Sequence, residues 1–241
     1  MSPAASPRHA RTRQQTVDQL VSHGAVAVVR LPAARLVRDA VQALHAGGVR
    51  AVELTMTTPD ALTVIEELAR WMGDELLVGA GSVLGADAAR RAVDAGAEYV
   101  VSPVFHQAVV DEAHRQGVPA MPGAFTPTEI FTAHAAGADL VKVFPADSLG
   151  PAFIKGVLAP MPFLRLMPTG GVTPANAGDW LRAGAHAVGL GSALVDPKLV
   201  AAGDFATLTA RARQVTEQVA QARATHPVTR VPDPTANEAD A

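Results

Sequence analysis

Short runs rich in Val, Leu and Ala alternate along this chain with amphipathic stretches, and no other feature limits its fold as tightly. A run too short for a helix, followed by a helical pattern of ~10 to 15 residues and then another run, marks βα units around a parallel sheet. Strands are expected at Ala25–Val29, Ala51–Thr55, Leu76–Gly79, Glu98–Val101, Pro119–Met121, Leu140–Phe144, Arg165–Met167 and Ala187–Leu190. Eight parallel strands close a barrel, so the expected fold is α/β, a single (β/α)8 TIM barrel.

Punctuation supports the count. Ala46-Gly47-Gly48-Val49, Ala95-Gly96-Ala97, Ala136-Gly137-Ala138 and Ala183-Gly184-Ala185 each place a glycine where a helix must stop before the next strand. Thr58-Pro59, Thr126-Pro127 and Thr173-Pro174 read as an N-cap followed by proline at the first helical position. A doubly wound open sheet is the structural alternative. Its glycine fingerprint is missing after the first strand, where the chain reads Val29-Arg30-Leu31-Pro32.

At 241 residues and 49% hydrophobic content the chain can bury one large core. A net charge of -3 and 4% aromatic residues offer no nucleic-acid platform, which points to a small-molecule partner. Cysteine is absent, removing disulfides and thiolate metal sites. No signal segment opens the chain and no apolar run approaches the ~20 residues that span a bilayer, so a cytoplasmic location is expected. Residues 1–13 and 225–241 lack periodicity and are expected to be disordered tails around a barrel at 14–224, with Arg8, Arg11 and Arg13 solvated.

Two residues do not belong in buried strands. In Leu140-Val141-Lys142-Val143-Phe144, alternation sends Val141 and Val143 to the helices and Lys142 inward. Burial disfavours an ammonium, and a neutral lysine is a nucleophile. The other two lysines, Lys155 and Lys198, sit in ordinary solvated contexts. In Ala51-Val52-Glu53-Leu54-Thr55, the same alternation sends Glu53 and Thr55 inward. Each alone reads as a structural ion pair or a snorkelling side chain. Together they suit carbon–carbon cleavage beside a Schiff base, which needs an amine and a proton shuttle. Near the end, Pro168-Thr169-Gly170-Gly171-Val172-Thr173-Pro174 and Gly189-Leu190-Gly191-Ser192 expose backbone N–H groups where barrels commonly hold phosphate. Glycines in such turns also serve geometry alone.

Taken with Gly47-Gly48-Val49-Arg50-Ala51-Val52-Glu53-Leu54-Thr55, Gly79-Ala80-Gly81-Ser82-Val83-Leu84, Val101-Ser102-Pro103, Pro122-Gly123 and Val141-Lys142-Val143-Phe144-Pro145-Ala146, these motifs occur in a telling order. From about Val21 to Ala210 the chain resembles the 2-keto-3-deoxy-6-phosphogluconate (KDPG) / 4-hydroxy-2-oxoglutarate (KHG) aldolase family of class I aldolases. The resemblance implies Lys142 as the Schiff-base lysine and Glu53 as its general acid/base. It places Ser82 near the pyruvate carboxylate, Pro103, Phe144 and Thr169 along the pyruvate pocket, and Gly170, Gly171, Gly191 and Ser192 in a phosphate cradle. It also implies a homotrimer and a 2-keto acid substrate, phosphorylated in KDPG; the Schiff-base chemistry calls for no cofactor and no metal, and none of the eight histidines forms a closely spaced pair with a carboxylate at a strand end.

One departure stands out. Thr57 occupies the position where some members carry a carboxylate-binding arginine, and Arg30, directly after the first strand, is a candidate substitute. Within the family, 2-dehydro-3-deoxy-6-phosphogalactonate is an alternative substrate. Outside it, the competing readings are a phosphate-binding isomerase or epimerase and a non-catalytic sensor of keto acids or sugar phosphates.

Overall fold

The computed structural model describes residues 11–229 and 231–233. Every strand pairing within its two sheets is parallel. With strands numbered along the chain, one sheet takes the order β5 (Ala120–Met121), β4 (Val100–Val101), β3 (Leu77–Gly81), β2 (Ala51–Thr55), β1 (Ala25–Val29), β9 (Val188–Leu190). The other takes the order β6 (Gly123–Ala124), β7 (Val141–Val143), β8 (Leu166–Pro168).

All eight expected strands are present, with ends displaced by at most two residues except at the fifth, which continues to Ala124. The fifth is split into β5 and β6 by Pro122, which cannot donate to a ladder. Its carbonyl still accepts from Lys142 N at 2.9 Å. At the opposite edges, Thr169 bridges Gly189 and His186 N donates to Leu166 O at 2.9 Å, so β8 lies beside β9.

Alternation along the strands separates two cores. Val52, Leu54, Val141, Val143, Val188 and Leu190 face the helices. Val26, Ala51, Leu77, Tyr99, Val101, Met121, Leu140, Met167 and Ala187 form a second cluster on the other face. That cluster is completed by Val17 and Leu20 of α1 (Arg13–His23), a helix lying before the first strand.

Of the expected tail at residues 1–13, residues 1–10 lie outside the described residues and 11–13 are packed at the start of α1. Arg13 Nε pairs with Asp139 Oδ1 at 2.8 Å, and Arg11 Nη1 with buried Glu98 at 2.6 Å. The reading of these two arginines as solvated is corrected: each pins the segment around α1 against a carboxylate from another part of the fold. Arg8 lies outside the described residues. At the other end α10 (Phe205–Thr225) runs to the expected boundary, and beyond it Asp233 bonds to His134 at 2.7 Å.

The helix stops are as expected: Gly48, Gly96, Gly137 and Gly184 all hold left-handed backbone, with φ between 92° and 107°. The starts are correct once. Thr126 and Glu129 form a capping box at α6 (Pro127–Ala135). Thr58 does not cap; α3 (Ala61–Met72) starts after Asp60, and Thr58 Oγ1 lies 3.4 Å from Thr55 Oγ1. Thr173 instead exchanges hydrogen bonds with Asn176, at 2.7 and 3.2 Å, in a turn that precedes α8 (Ala177–Arg182).

Candidate active site

Glu53 and Lys142 come from strands that do not pair, β2 and β7, and meet in the interior. Lys142 Nζ donates to Glu53 Oε1 at 3.4 Å, with the two residues only 5% and 1% exposed. The long separation makes this a loose ion pair, and Glu53 Oε2 is buried without a partner. A carboxylate oxygen left unsatisfied in the interior is unfavourable unless something else accounts for it. Beside the pair, the Phe144 ring centre lies 5.4 Å from Lys142 Nζ, and Phe144 is 38% exposed. The amine thus lies beneath a partly open mouth.

The neighbouring strand makes room for the carboxylate. Thr55 pairs with Gly81 and Glu53 with Gly79, so two inward positions of β3 carry no side chain. A Cβ on Gly81 would stand 2.0 Å from Glu53 Oε1, and one on Gly79 would stand 2.1 Å from the Tyr99 ring. Glycine is required at both. Tyr99 is fully buried and its hydroxyl donates to Val52 O at 2.6 Å. Burial, then the nearby charges of Glu53 and Glu98, push its phenol well above the ordinary range, so it stays protonated. Sequence reasoning did not single out Tyr99. Its signal was available in the only tyrosine of the chain, standing one strand away from an inward glycine.

The remaining expected residues gather at the strands' carboxyl ends. Thr169 follows β8, is 6% exposed, and its Oγ1 has no partner. Its main chain is fixed, since its N–H donates to Val143 O at 2.9 Å and its carbonyl accepts from Ala146 N at 2.9 Å. Gly170 and Gly171 continue that loop with left-handed backbone, and half-buried Gly191 and exposed Ser192 leave the adjacent strand β9. Ser82, just past β3, holds φ 59°, an uncommon conformation for serine. Pro103 follows β4 and is half-buried. Arg30 is exposed directly after β1, while exposed Thr57 lies 3.0 Å from Thr55, hydroxyl to hydroxyl. Among the described residues, no three His, Asp or Glu side chains come together as a metal site would need.

A parallel α/β protein with a buried amine beside a buried carboxylate, under loops rich in hydroxyls and bare backbone, belongs to the class of enzymes that act on small carbonyl substrates. The chain is a member of the KDPG and KHG aldolase family, whose sequence model matches residues 17–211. It is accordingly an aldehyde-lyase.

Two relatives illustrate the match. A 2-dehydro-3-deoxy-phosphogluconate aldolase of Treponema pallidum is 38% identical over 201 residues, 80% of this chain and 94% of the relative. A probable 2-dehydro-3-deoxy-6-phosphogalactonate aldolase of Rhizobium meliloti is 39% identical over 165 residues, 68% of this chain and 77% of the relative. Among solved structures, KDPG aldolase from Legionella pneumophila, with pyruvate captured as a covalent carbinolamine intermediate, superposes with a TM-score of 0.77 at 26% identity. That alignment covers 83% of this chain and 98% of the other.

Proposed function

We propose that the two sheets close as one (β/α)8 barrel and that the enzyme cleaves 2-dehydro-3-deoxy-6-phosphogluconate to pyruvate and glyceraldehyde 3-phosphate through a Schiff base on Lys142. The observation that carries this reading is the buried Lys142–Glu53 contact of 3.4 Å with Glu53 Oε2 unpartnered. A pair built only for stability would satisfy both carboxylate oxygens; this one leaves one oxygen for another proton carrier.

Unprotonated Lys142 attacks the C2 ketone to give a carbinolamine, and Glu53 relays the protons as water leaves. The resulting iminium draws electrons from the C3–C4 bond. Glu53 takes the C4 hydroxyl proton as that bond breaks and the aldehyde departs. The enamine is then protonated at C3 and hydrolysed, releasing pyruvate and free amine. No cofactor takes part in this scheme. Ser82, Pro103, Phe144 and Thr169 hold the pyruvate half, with the unpartnered Thr169 hydroxyl free to donate.

Gly170, Gly171, Gly191 and Ser192 leave neighbouring strands at one end, which suits a phosphate held by backbone N–H groups. Arg30 takes over the carboxylate contact that Thr57 cannot make. Glyoxylate is accepted by the same pocket in place of the phosphorylated aldehyde, making 4-hydroxy-2-oxoglutarate a second substrate. A galactonate-derived substrate is the alternative, and the relative of that name at 39% identity favours keeping it in the assay. The active form is a homotrimer, as the family resemblance implies, and its expected location is the cytoplasm.

Borohydride reduction in the presence of pyruvate, followed by peptide mass mapping, tests the reading. The expected result is a pyruvyl adduct on Lys142 and on neither Lys155 nor Lys198. Folded protein saturated with pyruvate that yields no adduct would refute the Schiff base.

A further inference from the structure

The interior of β3 is a channel with two vacant positions, Gly79 below and Gly81 above, and each is occupied by a side chain from a neighbouring strand. The Glu53 carboxylate enters the upper slot from β2, and the Tyr99 ring enters the lower one from beyond β3. The ring and the carboxylate thus fill successive inward positions of the same strand. The phenol is also anchored, because its hydroxyl donates to the carbonyl of Val52, the residue immediately before Glu53, at 2.6 Å. Tyr99 therefore holds the backbone that carries the carboxylate and fills the inward position of the glycine paired with Glu53.

We propose that Tyr99 is a positioning residue for the aldol reaction, holding Glu53 at the height of Lys142 Nζ without touching substrate. The inference rests on the Schiff-base reading above. Glu53 has few other restraints: its one hydrogen bond is to Lys142, at 3.4 Å, and its second oxygen is unpartnered. An iminium at Lys142 keeps its positive charge but has a single N–H, held in the plane of the C=N bond, so this contact alone does not set where the carboxylate sits. The space at Gly81 and the Val52 backbone held by Tyr99 keep the carboxylate within reach of the C4 hydroxyl. The hydrophobic floor around Tyr99, formed by Leu77, Val101 and Met121, keeps the ring from moving aside. The fall in rate for a misplaced base comes from lost alignment, which small displacements are enough to produce.

The test uses the intact enzyme and two readouts: turnover of the sugar acid, and exchange of pyruvate methyl protons for deuterium followed by NMR. Exchange reports the base and the enamine without any aldehyde. Tyr99→Phe keeps the ring and removes the anchor; a neutral hydrogen bond of about 0.5–1.5 kcal/mol corresponds to a fall of roughly 2- to 10-fold in kcat and in exchange. KM and the pyruvate concentration for half-maximal borohydride trapping should stay at wild-type values. Tyr99→Leu removes the ring as well and should reduce kcat further, again without a change in KM. Unchanged kcat and exchange in both variants would overturn the proposal, as would a fall matched by an equal rise in KM or reduced trapping, since that is general disruption. If Tyr99→Leu does not fold, the Phe variant decides. Absence of exchange in the wild type would instead condemn the underlying Schiff-base reading.

Discussion

The inward faces of the strands hold two layers that differ in almost everything except their strands. Leu140, Ala51, Met167 and Ala187 belong to the lower layer, closed beneath by Val17 and Leu20 of α1. Two residues further along the same strands stand Lys142, Glu53, Thr169 and Gly189. One step of the side-chain period thus converts apolar packing into buried polar groups with unmet hydrogen-bonding capacity, Glu53 Oε2 and Thr169 Oγ1. Mutual packing explains the lower layer completely; the upper layer makes sense only with something bound in it.

The sharpest way to break this contrast is to make the upper layer resemble the lower. Lys142→Met should lower kcat/KM by a factor on the order of 10⁴ or more, since a nucleophile acts as a unit with its base. The same variant leaves Glu53 buried without its cation, which is destabilising by about 3–5 kcal/mol. Adding Glu53→Leu should recover that loss, and the double variant should be as stable as the wild type or up to about 4 kcal/mol more stable, while remaining inactive. Denaturant titration of the three proteins measures this. A double variant less stable than Lys142→Met would mean the pair is a structural tie.

The converse change acts on the lower layer. Leu140 is 1% exposed, and Leu140→Ala should reduce stability by about 2–5 kcal/mol through lost burial and the cavity left behind. The pyruvyl adduct on Lys142 should still form completely in the folded fraction. Loss of trapping without loss of stability would show that the two layers are not separable.

Sequence periodicity sufficed for the eight strands and for the inward direction of Lys142 and Glu53, because a period of two fixes which residues share a face. It also located the glycine helix stops, whose left-handed backbone few other residues adopt. It failed where the determining partner was distant in the chain. Arg11 and Arg13 read as solvated because Glu98 and Asp139, which bind them, lie 87 and 126 residues away. Thr58-Pro59 has the same local form as Thr126-Pro127. Only the second has a glutamate three residues beyond the threonine to complete the box, while Asp60 turns the first out of helix. Tyr99 was hidden for a similar reason: its role depends on Gly79 and Val52, one on each of two other strands.

The end of the fold opposite the mouth supplies the smallest of these tests. His186 lies just before β9, on the wall of a cavity of about 1010 Å³ shared with Arg13, Arg165 and Arg223. Burial first, then the charges of Arg165 and Arg223, lower its pKa from 6.5 to about 4. Above pH ~6.5 the imidazole is neutral in both folded and unfolded chains and has no effect on their balance. As the pH falls below that value the unfolded chain binds a proton that the folded one refuses until about pH 4, so stability is lost across this window and the contribution then levels off. The loss from this one group is on the order of 3 kcal/mol. His186→Gln should flatten the stability profile between those limits and leave turnover at neutral pH unchanged, because His186 is remote from Lys142 along the strands. Asp139 provides the internal control. Burial opposes its ionisation, but hydrogen bonds from His114 and Arg13 outweigh it and hold its pKa below the usual 3.8, so its contribution is lost only at lower pH still. A His186→Gln protein that still weakens between pH 6.5 and 4 would assign the loss to other groups and remove His186 from the account of the lower rim.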